Sequence, residues 1–347
     1  MGLEYVNIQG FFIIFARVVL LIISKSIMNL LLSVLASQSI VLQIVFILCG
    51  MGLVLAAADW LTKGAVAVAE RLKVPQVVIG MTIVAIGTSM PEFFVSLCSA
   101  VKGTADLAVG NIVGSNIFNS LAIVGCAAAV APIAILPQTV RRDIPFALVA
   151  SVLLLILCLD SVISRLDAAI LFALFLVFIV FTLREARAGK TEEKTSKPMS
   201  VGGSLLLIVG GLVGLIGGSE LFVDNASALA SSLGVSDAVI GLTIVACGTS
   251  LPELATSVVA AKKGNSGIAI GNVLGSNVFN ILMILGITGL ITPMQMSGIT
   301  TVDFSMLVIS MILLWLFSYT KLRIERWEGL FLVGVFIGYM TYLVMNA

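Results

Sequence analysis

Polar residues interrupt this chain so rarely that its apolar runs can be counted. From residue 40 onward ten runs follow one another, roughly 41–69, 75–101, 105–131, 144–161, 166–183, 202–230, 236–261, 266–292, 302–320 and 327–345. Each is predicted to be a helix, since about 20 apolar residues cross a bilayer. Several are long enough that they must tilt, break or extend beyond the hydrocarbon. The stretch before them differs. Phe11 to Ser24 is apolar but short, and extending it takes in Arg17 and Lys25, so residues 1–38 read as an N-terminal extension forming an interfacial helix or an extra segment.

The polar positions inside the runs are not scattered. Gly80-Met-Thr-Ile-Val-Ala-Ile-Gly-Thr-Ser-Met-Pro-Glu92 returns 161 residues later as Gly241-Leu-Thr-Ile-Val-Ala-Cys-Gly-Thr-Ser-Leu-Pro-Glu253, identical at ten of thirteen positions. Gly110-Asn-Ile-Val-Gly-Ser-Asn-Ile-Phe-Asn119 returns at the same offset as Gly271-Asn-Val-Leu-Gly-Ser-Asn-Val-Phe-Asn280. Asp59-Trp-Leu pairs with Glu220-Leu-Phe, and Arg165-Leu-Asp with Arg326-Trp-Glu, so each copy holds five spans. An odd number of spans reverses the second copy in the membrane. The expected fold is therefore an all-α integral membrane protein of ten transmembrane helices in two inverted five-helix repeats, 39–183 and 201–347, joined by a solvated linker over 184–200.

Composition agrees with this reading and narrows the chemistry. Hydrophobic residues make up 60% of the chain and charged residues 11%, well below the roughly 25% charged residues of a soluble domain. No basic patch with interleaved aromatics suggests nucleic acid, and nothing in the sequence points to an obligate protein partner. If the linker is cytoplasmic, so are Lys63, Arg71, Lys73, Arg141, Arg142, Lys262, Lys263, Lys321, Arg323 and Arg326, while the outer ends keep only Lys102 and Arg165. That asymmetry fixes the orientation of a multi-pass protein of the cell (inner) membrane. Cys49, Cys98, Cys126, Cys158 and Cys247 all lie in apolar runs and read as small core residues. There is no histidine, so any metal handled here is held by oxygen, which favours Ca²⁺, Mg²⁺, Na⁺ or K⁺.

In a helix Thr88, Ser89 and Glu92 share a face, as do Ser115 and Asn119; Thr249, Ser250, Glu253, Ser276 and Asn280 repeat the pattern. Where those faces meet they offer two carboxylates, hydroxyls and two amide oxygens. Pro91 and Pro252 lack an N–H, which loosens the preceding turn and releases backbone carbonyls as further ligands. Two ionised carboxylates repel in a low dielectric, and either one divalent ion or several monovalent ions cancel them. Competition of that kind is what an exchanger needs. Thr82 and Thr243 read as structural, bonding their own backbone, and the glycines fit close helix packing as well as a loosened helix.

The paired segments Gly87-Thr-Ser-Met-Pro-Glu92 with Gly114-Ser-Asn-Ile-Phe-Asn119, and Gly248-Thr-Ser-Leu-Pro-Glu253 with Gly275-Ser-Asn-Val-Phe-Asn280, resemble the α-1 and α-2 repeats of the sodium/calcium exchangers in the calcium:cation antiporter superfamily. The resemblance runs from about residue 40 to the end. It implies a ten-helix antiporter whose second, third, seventh and eighth helices form the ion site, with the long first and sixth helices sliding against the rest. It implies that Glu92 and Glu253 bind calcium, that carbonyls of Thr88 and Thr249 complete that site, that Ser89, Ser115, Ser250 and Ser276 serve sodium, and that Asn119 and Asn280 flank the centre. Some relatives carry aspartate at the position of Asn280, where it is tied to potassium; asparagine on both sides argues against potassium dependence. The short linker leaves no room for the calcium-sensing domains of animal exchangers, so the chain is similar to a prokaryotic form.

The expected function is thus secondary active exchange of Ca²⁺ for Na⁺, in the direction of calcium efflux, with no cofactor and no enzymatic chemistry. A Ca²⁺/H⁺ antiporter using the same glutamates is the alternative, although it has no need of four serine oxygens. A passive channel would conduct without a counter-ion. An intramembrane enzyme would need a nucleophile beside a base or a phosphate loop, and the sequence offers neither.

Overall fold

The computed structural model describes residues 40–188, 199–233 and 246–346. Outside them lie the N-terminal extension, most of the linker, Thr243 and the start of the run expected over 236–261. The chain is mostly helical. Helices α1 (Ile40–Leu72), α2 (Gln76–Thr88), α3 (Met90–Val101), α4 (Ala105–Val130), α5 (Ile144–Leu157) and α6 (Arg165–Ala188) make up the first half. Helices α7 (Val201–Ser232), α8 (Ala246–Thr249), α9 (Leu251–Lys262), α10 (Ser266–Ile291), α11 (Thr301–Lys321) and α12 (Arg326–Asn346) make up the second.

Six of these helices are individually long and apolar enough to cross a membrane, and a seventh span arises if α2 and α3 are taken together. The run expected as one helix over 75–101 is in fact two, bent by 47° at a break. The break is at Ser89, which leaves the helical region (φ −84°, ψ 10°) two residues before Pro91 in the first turn of α3. Ser250 does the same (φ −92°, ψ 8°) before Pro252. The proline cannot donate to the preceding turn, and the local geometry follows from that loss. Glu92 and Glu253 accordingly stand in the first turn of a new helix, not in the middle of an unbroken one.

Four two-residue strands tie the halves together: β1 (Ile133–Ala134) pairs with β4 (Arg323–Ile324), and β2 (Val162–Ile163) with β3 (Met294–Gln295), both antiparallel. Ile133 faces Ile324 and Ile163 faces Met294, so adding the 161-residue offset to one residue of each pair exchanges one pairing for the other. Asp167 and Glu328, which pair at the 161-residue offset, accept from the backbone N–H of Ser164 and Glu325 at 2.9 and 2.7 Å and so cap α6 and α12.

Small residues set how closely the helices approach, as is usual where lipid removes the hydrophobic drive for association. Helix α1 lies along α7 with Gly50 on Gly218 and Gly64 on Ser204 and Ile208. Helix α2 lies on α10 through Gly80, Gly271 and Gly275. A methyl group on Gly271 would sit 2.6 Å from the Val77 carbonyl oxygen, and one on Gly275 2.6 Å from Met81 Cα. Close packing therefore accounts for the second-copy glycines. In the first copy an added methyl on Gly114 meets no described atom within 4 Å, and one on Gly110 only Ile299 at 3.7 Å. Gly271→Ala should destabilise the detergent-solubilised protein by about 1–3 kcal/mol through overpacking, whereas Gly334→Ala, at an exposed position of α12, should not lower its thermal midpoint; a thermal-shift comparison checks the contrast.

Candidate ion site

The site is built from four helix ends and two helix middles, in reciprocal fashion. Ser89 Oγ donates to Glu253 Oε1 at 2.9 Å, and Ser250 Oγ donates to Glu92 Oε1 at 2.9 Å. Each glutamate is thus held by the serine that precedes the other by three positions. Since residues three apart on a helix have Cβ atoms about 5–6 Å apart, the two carboxylates belong to one pocket. Both are almost wholly buried, at 1% exposure. Ser276 Oγ adds a longer donation to Glu253 Oε1 at 3.4 Å, and Ser250 Oγ also lies 3.3 Å from Ser115 Oγ. Thr88 is buried beside them, its hydroxyl 3.1 Å from Asn272 Oδ1. Thr249 lies at the wall of a cavity between α3 and α7, and Ser115 at the wall of a second cavity between α4, α11 and α12.

Asn119 and Asn280 stand where α4 and α10 open into a wider, π-type turn, over Asn119–Ile123 and Phe279–Ile284. Such turns recur at functional sites because they redirect side chains without ending the helix. The Asn119 amide donates to Asn277 Oδ1 at 3.1 Å, and the Asn280 amide donates to Asn116 Oδ1 at 2.9 Å. With each NH₂ group committed to the opposite half, each Oδ1 is left facing elsewhere. Asn119 Oδ1, Asn280 Oδ1, Glu92 Oε2 and Glu253 Oε2 are all buried and have no hydrogen-bond partner among the described residues. Four orphaned oxygens in one buried region, two of them carboxylate, cost several kcal/mol unless a cation or protons meet them. Neither glutamate forms an ion pair among the described residues, where no group of three or more acidic, cysteine or histidine side chains occurs either. The donor set is a hard-cation set made mostly of neutral oxygen.

All ten residues singled out in the sequence thus fall in or beside one region. Sequence reasoning missed a supporting layer. The Asn111 amide donates to the Glu92 carbonyl at 3.3 Å and to Ser96 Oγ at 3.0 Å, and the Asn272 amide repeats this with the Glu253 carbonyl at 3.2 Å and Ser257 Oγ at 3.0 Å. Asn116 and Asn277 hold Asn280 and Asn119, and the Asn277 amide also donates to Ser120 Oγ at 2.8 Å. All four asparagines are identical in the two copies, and that identity was the available signal. Thr82, read as structural, donates to its own backbone at Val78 at 2.7 Å.

The comparisons with known proteins agree with this geometry. The family model described as sodium/calcium exchanger protein matches residues 42–184 and 203–345. The putative antiporter CaxA of Alkalimonas amylolytica is 36% identical over 87% of this chain and 98% of its own length. The sodium/calcium exchanger MaX1 of Methanosarcina acetivorans is 31% identical over 88% of this chain and 99% of its own. Among solved structures, the sodium-calcium exchanger NCX_Mj soaked with Na⁺ and Sr²⁺ superposes with a TM-score of 0.78 at 33% identity, covering 87% of this chain and 99% of that one. Fold and site together define a multi-pass membrane antiporter for Ca²⁺ and a second cation, a transporter and not a member of an enzyme family. The chain belongs to the sodium/calcium exchanger family.

Asn277→Ala removes the acceptor for Asn119 and the donor to Ser120 at once. We expect a loss of about 1–3 kcal/mol in a denaturation series in detergent, the range for a broken buried hydrogen bond, while the control Lys102→Ala, at an exposed position, changes nothing.

Proposed function

We propose that the protein exchanges Ca²⁺ for Na⁺ by alternating access, working as a calcium efflux system in the cell membrane. The observation that carries this reading is the set of orphaned oxygens, Glu92 Oε2, Glu253 Oε2, Asn119 Oδ1 and Asn280 Oδ1, buried around a reciprocal carboxylate–serine pair. One Ca²⁺ takes the two carboxylates together with neutral oxygens, among them carbonyls of Thr88 and Thr249. Na⁺ ions take the same carboxylates one at a time, helped by Ser89, Ser115, Ser250 and Ser276. Asn119 and Asn280 supply neutral oxygen at the centre, which keeps the charge at two and leaves no third acid to require potassium.

The organisation proposed with this function is ten spans in two inverted repeats, 39–183 and 201–347. Its support is the reciprocity of the strand pairings and of the serine–glutamate and asparagine–asparagine bonds, each of which maps onto its partner at the 161-residue offset. The α2–α3 pair then counts as one broken span, and α8–α9 is its counterpart. The linker 184–200 lies in the cytoplasm, so both cavities beside the site are entered from outside.

The test is ⁴⁵Ca²⁺ uptake into proteoliposomes driven by an imposed sodium gradient, with potassium present and absent. Wild-type protein should accumulate calcium whether or not potassium is there. Glu92→Gln and Glu253→Gln should each lower exchange by roughly 150- to 4,000-fold, because removing one partner of a buried charge arrangement costs about 3–5 kcal/mol. Uptake driven by a pH gradient without sodium would replace this reading with Ca²⁺/H⁺ exchange, and current without a counter-ion would replace it with a channel.

A further inference from the structure

The two long helices carry a reversal of charge, at Lys63 and Asp224, that the repeat does not explain. In the first half Asp59 is neutralised: Lys63 lies 2.8 Å away one turn later, and Lys263 from the end of α9 pairs with its other oxygen. At the 161-residue offset Asp59 becomes Glu220, and Lys63 becomes Asp224. The second half thus replaces a salt bridge at positions i and i+4 by two carboxylates on one face of α7.

Those two carboxylates line the cavity of about 250 Å³ between α3 and α7, whose wall also includes Gly248 and Thr249 of the ion site. Asp224 has no hydrogen-bond or ion-pair partner among the described residues. Ser219 lines the same cavity at 5% exposure, and its buried hydroxyl has no hydrogen-bond partner among the described residues. Acidic side chains within a membrane-spanning helix face water or a counter-ion, since lipid accommodates neither them nor an unpartnered hydroxyl.

We propose that this cavity is a staging site for a divalent cation on the outer approach to the central site, with the carboxylates of Asp224 and Glu220 and the hydroxyl of Ser219 as its ligands. The proposal rests on the exchange function above. Two carboxylates favour Ca²⁺ over Na⁺ at low concentration and raise the local density of divalent ions beside Thr249. In the first half Lys63 stands at the place of Asp224, so among the described residues this pair of carboxylates has no counterpart on the cytoplasmic side. The two faces of the exchanger then differ in apparent calcium affinity for a reason written into one pair of residues.

The experiment has two readouts. In sided ⁴⁵Ca²⁺ flux with wild-type central residues, Asp224→Asn should raise the apparent KM for Ca²⁺ by about three- to tenfold from the face where α7 ends. The effect should fade at saturating Ca²⁺, shrink in high salt, and be reversed by Asp224→Glu. Calcium titration calorimetry in lipid nanodiscs with Glu92→Gln and Glu253→Gln combined should leave one weak site, and adding Asp224→Asn should remove it. An unchanged KM, an equal change from both faces, or a weak site that survives Asp224→Asn overturns the proposal. Tight calcium binding that survives Glu92→Gln with Glu253→Gln would instead defeat the central-site reading, while the KM comparison would still decide on the cavity.

Discussion

Two carboxylates buried in one pocket, with no basic side chain paired with them among the described residues, are the constraint on which the rest of the structure depends. Serine hydroxyls orient Glu92 Oε1 and Glu253 Oε1 but carry no charge to cancel theirs. The remaining oxygens, Oε2 of each, meet no donor among the described residues. A buried charge without a partner is among the most expensive features a fold can hold. The breaks at Ser89 and Ser250 and the wide turns at Asn119 and Asn280 follow from the same demand, because each brings an oxygen inward that a regular helix would have bonded internally.

Duplication supplies the geometry. A single copy places one glutamate and its serine on the same face, where they cannot enclose an ion; two copies facing each other let each serine reach the other's glutamate. The same logic reaches the second layer, where Asn277 holds Asn119 and Asn116 holds Asn280. Close approach of the halves is then needed everywhere, and the glycine contacts of α1 with α7 and of α2 with α10 allow it. Departures from symmetry become the informative positions. Lys63 of α1 is answered by Asp224 of α7.

Much of this was legible in the sequence because it was written twice. A polar residue inside an apolar run is conspicuous, and its recurrence at a constant offset marked all ten residues that the fold brings into one region. What escaped was decided by direction in space. Asn116 sits next to Ser115 and so points to a different face, which spacing alone could not connect to Asn280. The bend before Glu92 was foreshadowed by Pro91, yet its 47° size depends on how α3 packs against its neighbours. The charge exchange between Lys63 and Asp224 was present in the alignment all along. It acquires meaning only once Lys263, distant in sequence, is seen to complete the first-half ion pair.

The arrangement also bears on why such a site would exchange ions instead of conducting them. A conducting pathway needs ions to leave as easily as they enter, through contacts that never strongly favour any one occupant. Here the ligands come from both halves at once, and Glu92 and Glu253 are cross-linked to opposite halves through Ser250 and Ser89. On the proposed reading the empty pocket keeps two negative charges, which resist passage through the occluded state, whereas a pocket filled by one Ca²⁺ or by Na⁺ is neutral enough to pass. In that proposal, charge balance at two glutamates is what couples the two ions, and the neutral oxygens of Asn119 and Asn280 preserve the balance by adding coordination without adding charge.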